Sequence, residues 1–198
     1  MIYDITQPVF GCCVYPGDPL PTKTVLSDMD KGDLYNLTAF YMCAHNGTHV
    51  DAPLHFFRNG KSIDRLPPEK FVGPAFVYTH NGEMTAADAK LVLQQAGSAC
   101  PGAEKRILIK GEATVSLEAA EVFAAAETFL IGNESQTVGP ENAPMAVHLA
   151  LLGAETVLLE GIRLSGVPDG AYVLNCMPLQ LNGAEGAPCR AILIDREK

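Results

Sequence analysis

The chain has 198 residues, a length that suits one domain, and 47% of them are hydrophobic, enough to bury a core without disulfides. Only 19% are charged, and the formal net charge is -9. That balance argues against a nucleic-acid partner, which needs a basic face, and favours solubility.

The opening MIYDITQPVF has no basic segment followed by an apolar one, so the expectation is a protein without a signal peptide, soluble and cytoplasmic. The best candidate for a membrane span, AVHLALLGAETVLLEGI, is interrupted by His148, Gly153, Glu155 and Glu160, and no membrane association is expected. Residues 1–70 read as irregular. YPGDPLP (15–21) and RNGKSIDRLPPEK (58–70) are loops by their Pro and Gly content.

From residue 71 a regular alternation begins. FVGPAFVYT (71–79) reads as a strand. TAADAKLVLQQAG (85–97) reads as a helix, with Thr85 as N-cap, Asp88 three residues later and Gly97 just past its end. RILIK (106–110) is a short strand, and SLEAAEVFAAA (116–126) is a helix capped by Ser116. TFLIG (128–132) is a strand. ENAPMAVHLALLG (141–153) contains a helix starting near Pro144 and stopping at Gly153. TVLLEG (156–161), AYVLNCMPLQL (171–181) and CRAILID (189–195) complete the chain as strands. Strand and helix alternate, which predicts a single α/β domain over 1–198 with part of its sheet parallel.

Within the irregular part, HNGTHVDAPLH (45–55) holds three of the chain's five histidines and an aspartate. The four-residue gap from His45 to His49 would suit one helix face, as in H-E-x-x-H zinc sites. Asn46-Gly47 is a turn signal, however, and Pro53 follows closely. In an extended segment His49 and Asp51 point to the same side. His45 could fold back across Gly47 to meet them. Two imidazoles and a carboxylate form a three-ligand set with open positions, as at a catalytic metal. The competing reading is a polar loop whose histidines are simply satisfied.

The other histidines divide. His80, in a turn after a strand, reads as solvated. His148 lies in an apolar helix, as either a buried polar group with a partner or a ligand. Glu160 directly follows Leu158 and Leu159, so its carboxylate needs a partner or a metal if it is buried. It also stands at the carboxyl end of an expected parallel strand, where ligand sites form. The six cysteines contain no C-x-x-C pair and read as small apolar residues. Cys43 is two residues from His45, but the His/Asp set suffices without it.

The pattern His45-x-Gly47-Thr48-His49-x-Asp51-x-Pro53-x-His55 resembles the signature of the metal-dependent cyclase-family hydrolases, a group that includes bacterial kynurenine formamidase and isatin hydrolase. The likeness extends to DITQPV and VYPGDP near the start, to the His148 and Glu160 pair, and to PLQLNGAEGAPCRAILI at the end. It therefore covers nearly the whole chain. It implies a swivelling-type β/α/β cyclase-like fold and a homodimer or larger assembly. It also implies one zinc on His45, His49 and Asp51, with Asp51 bridging to a second zinc that His148 and Glu160 also hold. Manganese suits the same ligands. His55 would be the acid/base beside the metals, and Tyr15 part of the substrate pocket.

The sequence departs from the formamidases in two places. Their G-I-D-T-P-S stretch is GNESQTVGPENAP here, and Tyr15 stands where they often have Trp. Either Ser135 or Gln136 takes up a substrate contact, or that loop is solvated. The expected activity is hydrolysis of a C–N amide bond in a small molecule, as in N-formylkynurenine to kynurenine and formate in tryptophan catabolism. One alternative is ring opening of a cyclic amide or lactone, as in isatin hydrolase. Another is a non-catalytic metal- or ligand-binding protein, against which the intact His55 argues.

Overall fold

The computed structural model describes residues 1–196. The first seventy residues hold four short strands: β1 (Ile2–Asp4), β2 (Thr22–Ser27), β3 (Leu37–Tyr41) and β4 (His49–Asp51). The expectation of irregular chain is corrected there. These strands have at most six residues, too few to show a period, and β1 and β4 pair with strands far along the sequence. The remainder runs β5 (Val72–Thr79), β6 (Gly82–Met84), α1 (Ala86–Ala99), β7 (Arg106–Lys110), β8 (Ala113–Val115), α2 (Leu117–Ala125), β9 (Leu130–Asn133), α3 (Met145–Gly153), β10 (Val157–Glu160), β11 (Gly170–Asn175), β12 (Gly186–Pro188) and β13 (Ile192–Asp195).

The fold is mixed α/β. Nine strands form one sheet in the order β1-β13-β11-β5-β7-β9-β10-β4-β12. Its centre, β5-β7-β9-β10, is parallel, because a helix returns the chain between successive strands. The outer pairs are antiparallel. β2 and β3 form a separate hairpin, and β6 pairs with β8 in parallel.

Alternation along the central strands sends side chains to two cores. Ile107, Ile109, Ile131 and Leu158 meet the helices through Ala89, Val92, Phe123, Val147 and Leu151. Leu108, Leu130, Val157 and Leu159 face the other way. There the sheet curls, so that Leu193 of β13 and Val50 of β4, far apart in strand order, share one cluster.

Local signals explain the helix boundaries. Thr85 and Asp88 form a capping box on α1, and the Ser116 hydroxyl accepts the Ala119 N–H at the start of α2. Losing either cap should cost about 1 kcal/mol. Gly97 does not end α1, which runs on to Ala99. The stop comes from Pro101, which forces Cys100 out of helical dihedrals. No helix among the described residues is long and apolar enough to cross a membrane.

Candidate metal centre

β4 lies between β10 and β12, with Asp51 opposite Leu158 and Gly186, and His49 opposite Glu160 and Pro188. Period-two alternation sends Val50 into the curled core and His49 and Asp51 to the helix side. By the same rule Glu160, two residues after Leu158, also faces the helices. There α3 presents His148, four residues before Leu152 and so on the buried face of the helix. All four of these polar residues are 1–4% exposed.

His45 joins them through a turn. Gly47 adopts a φ of +65°, and a Cβ there would stand 3.0 Å from Cys12 Cβ. The Cys43 N–H donates to Asn46 Oδ1, which tightens the bend. The His45 ring then occupies space over Gly186, where a Cβ would come within 2.8 Å of the imidazole Cε1. Thr48 secures the segment to the end of β10 by donating to the Gly161 carbonyl and accepting the Gln7 N–H.

The resulting cluster is compact. Asp51 Oδ1 lies 2.8 Å from His45 Nδ1 and 3.3 Å from His49 Nε2, and Oδ2 lies 3.8 Å from His148 Nε2. Glu160 reaches His49 Nε2 at 3.5 Å and His148 Nε2 at 3.4 Å. Two ligand groups result, His45/His49/Asp51 and Asp51/His148/Glu160, each with its donor atoms within 4.8 Å of one another. They share Asp51.

Supporting contacts aim the ligands. His49 Nδ1 pairs with the Gly47 carbonyl at 3.0 Å and His148 Nδ1 with the Pro144 carbonyl at 2.9 Å, so in each ring Nε2 faces the cluster. The Val138 N–H donates to Glu160 Oε1. His45 Nε2 is buried without a hydrogen bond and lies 3.4 Å from Glu185 Oε1.

The electrostatics follow from crowding. Burial alone would push His49 down, but hydrogen bonds to Asp51 and Glu160 overcome it and hold the imidazole up to about 10. Burial would raise Asp51, yet hydrogen bonds from His45 and His49 hold it well below the carboxylate range. His45 and His148 are raised for the same reason, carboxylate contacts outweighing burial. Two buried carboxylates beside imidazoles demand positive charge, as protons or as a cation. The donor set fits a divalent metal: histidine nitrogens and carboxylate oxygens, oriented from behind, with a shared carboxylate between two triads.

His55 belongs to neither group. Pro53 opens a 3-10 turn, Pro53–His55, that brings its ring back onto the cluster. The ring stacks on His45 with centroids 4.2 Å apart and meets Phe56 edge-on. Burial pushes its pKa below 6.5, with His45 and His148 adding to the shift.

A cavity of about 280 Å³ opens over the cluster. Tyr15 lines it, as the resemblance implied, and donates its hydroxyl hydrogen to the Glu141 carbonyl. Gln136 reaches the cavity, whereas Ser135 is exposed outside it. Asp18, Phe56, Thr137 and Pro144 also line it, and sequence reasoning singled out none of them for the pocket. Their only signal was position, next to Tyr15, His55, Gln136 and the start of α3. Cys43 belongs to neither ligand group. His80 is partly buried rather than solvated: its ring stacks on Tyr78 and its Nε2 is enclosed without a partner.

Comparison with known proteins agrees with this architecture. The model of the family described as "Putative cyclase" matches residues 3–139. A kynurenine formamidase from Salinibacter ruber is 34% identical over 211 aligned positions, covering 98% of this chain and 97% of that protein. The structure of a predicted metal-dependent hydrolase from Bacillus stearothermophilus superposes with a TM-score of 0.81 at 28% identity, over 99% of this chain and 98% of that one. Isatin hydrolase A from Labrenzia aggregata, at 21% identity, shares the fold, with a TM-score of 0.80 over 99% of this chain and 94% of its own. A family match over more than half of the chain and a relative aligned nearly end to end lead to one conclusion: this chain belongs to the cyclase family.

Proposed function

We propose that the chain is a metal-dependent amidohydrolase that cleaves the C–N bond of an aryl formamide, converting N-formylkynurenine to kynurenine and formate. One observation carries the proposal: two buried ligand groups share Asp51, and His55 stacks beside them without belonging to either. The name and full-length alignment of the Salinibacter ruber relative support the substrate class. We take residues 1–198 as one hydrolase domain, since a single sheet draws strands from both ends of the chain.

His45, His49 and Asp51 would hold one divalent ion, and Asp51, His148 and Glu160 a second; zinc and manganese both suit these donors. Such ions lower the pKa of a water they bind and polarise a carbonyl. The protein's own groups do the rest. His55, kept below 6.5, is neutral at pH 7 and takes a proton from the attacking water. As the new C–O bond forms and the C–N bond breaks, it returns that proton to the leaving nitrogen. Tyr15 and Phe56 give the cavity aromatic walls against which an aryl group can stack. A volume of about 280 Å³ limits the substrate to a small molecule.

The proposal extends to a homodimer. The β2–β3 hairpin exposes Val25, Leu26, Leu37, Phe40 and Tyr41, and a lone two-stranded hairpin is marginal in water. Beside it lies a mostly apolar groove of about 610 Å³, lined by Val9, Phe40, Met42, Met177 and Leu179 and edged by the Asp4–Arg190 ion pair. An exposed apolar hairpin and a mostly apolar groove on one chain would bury each other across a two-fold axis. A cytoplasmic location fits the six free thiols.

The test is a side-by-side assay of metal-loaded protein on N-formylkynurenine and isatin. Formate release from the first is the expected result. Turnover of isatin alone would redirect the proposal to cyclic amides, and inactivity on both with metal bound would contradict it.

A further inference from the structure

Of the three histidines in the two ligand groups, one is turned the other way. His49 and His148 give Nδ1 to a backbone carbonyl and face the cluster with Nε2. His45 faces it with Nδ1, which lies 2.8 Å from Asp51 Oδ1. A flipped ring would put a C–H at that place, closer to a carboxylate oxygen than carbon and oxygen pack, so the contact fixes the orientation. Nε2 of His45 therefore points away from Asp51.

No backbone carbonyl holds this nitrogen. Nε2 is buried without a hydrogen bond, and the charged group facing it is Glu185, whose Oε1 stands 3.4 Å away. Among the described residues the Glu185 carboxylate makes no other ion pair. Its side chain is 42% exposed, which leaves it room to shorten that distance. The main chain around it is pinned. The Ala52 N–H donates to the Glu185 carbonyl at 2.8 Å, and the Ile63 N–H to the Ala184 carbonyl at 2.9 Å. The His45 ring lies over Gly186, the next residue, where a Cβ would collide with it. The start of β12 thus sets the ring and the carboxylate side by side.

We propose that Glu185 is a positioning residue of the metal centre: it accepts the Nε2–H of His45 and so presents Nδ1 of that ring to the ion shared with His49 and Asp51. The proposal rests on the metal-centre reading above. A neutral imidazole carries one N–H, and its other nitrogen is the ligand. The acceptor behind the ring decides which nitrogen that is. A carboxylate in that place also makes the ring a stronger donor to a metal. Without Glu185 the buried N–H would lose its acceptor.

The experiment measures zinc binding by competition with a chromophoric chelator. Glu185→Ala should weaken one of the two ions roughly 10- to 100-fold, the range for removing a group that orients a ligand from behind. Glu185→Gln keeps an acceptor oxygen and should recover part of the loss. Unchanged affinity in Glu185→Ala would overturn the proposal. No recovery with glutamine would overturn it as well, making Glu185 a charged ligand in its own right.

The wild-type protein provides an independent readout, which stands even if the variants fail to fold. With ¹⁵N-labelled histidine and zinc bound, two-bond ¹H–¹⁵N correlation spectra show which ring nitrogen keeps its proton. His45 should carry it on Nε2, and His49 and His148 on Nδ1. A proton on Nδ1 in all three rings would overturn the assignment. Wild-type protein that takes up no zinc would defeat the metal-centre reading, and this proposal with it. Zinc uptake with the wrong tautomer at His45 would defeat this proposal alone.

Discussion

Strand β4 and the β2–β3 hairpin are close in sequence and opposite in character. In β4, His49 and Asp51 are each 1% exposed. In the hairpin, Phe40 and Tyr41 are 59% and 60% exposed. Polar groups inside and apolar groups outside both run against the usual distribution. Each arrangement is unfavourable alone, and each calls for a partner of matching chemistry: a cation for the first, an apolar surface for the second. Where a sequence breaks a local rule, function is the common reason.

The contrast breaks most completely at Asp51, the carboxylate common to both ligand groups. Asp51→Asn should strip the metal from both and reduce activity to background, whereas Glu160→Gln should weaken retention of one ion only. Elemental mass spectrometry of the two variants checks this. Equal metal content in both would contradict the sharing of Asp51.

A smaller but still large effect is expected at His55. His55→Ala should keep its metal and lose roughly 10²- to 10⁴-fold in kcat, the range for removing a general acid/base. The acidic limb of the pH–rate profile should flatten, because that limb marks protonation of the group that burial holds below 6.5. Loss of metal from the variant would make His55 a ligand instead.

Acidity offers a third probe. Without metal, His49 is held up to about 10, so at pH 7 it carries a proton that metal uptake must release. Metal affinity should fall as the pH is lowered, with proton release visible as a buffer-dependent heat in calorimetry. The metal-free protein should show the linkage in its stability as well. A raised histidine pKa contributes stability that is fully present below 6.5 and lost as the pH rises toward 10. Asp51, held low, contributes above 3.8, and that part is lost as the pH falls through its depressed value. The metal-free Tm should therefore decline on the alkaline side first, and a Tm that rose steadily from pH 6.5 to 10 would speak against the charged cluster.

The mildest change is expected at the hairpin. Phe40→Glu should shift the protein toward monomer in sedimentation velocity and leave metal content unchanged. A variant with wild-type mass in solution would show that the exposed apolar face has another use.

Much of this was legible in the sequence because the signals were local. Thr85, Ser116 and Pro144 marked helix starts, and the period-two reading of His49 and Asp51 is realised in β4. The resemblance named His148 and Glu160, and the structure brings both to Asp51. What stayed hidden depends on distant pairing. Three-residue strands such as β4 and β12 take their identity from each other, and Gly186 reveals its purpose only once the His45 ring lies over it. Gln7 donates through Nε2 to the Gly161 carbonyl, 154 residues away, a contact that no local signal announces. Phe56 and Thr137 line the cavity because turns and loops carry them there, and no period predicts that.

The central claim is that the buried cluster holds metal and that activity depends on it. Elemental mass spectrometry of protein purified without added metal, paired with formamide hydrolysis before and after chelation, addresses it directly. The expected result is up to two divalent ions per chain, lost together with activity and restored together on adding zinc or manganese. Full activity in demonstrably metal-free protein would contradict it.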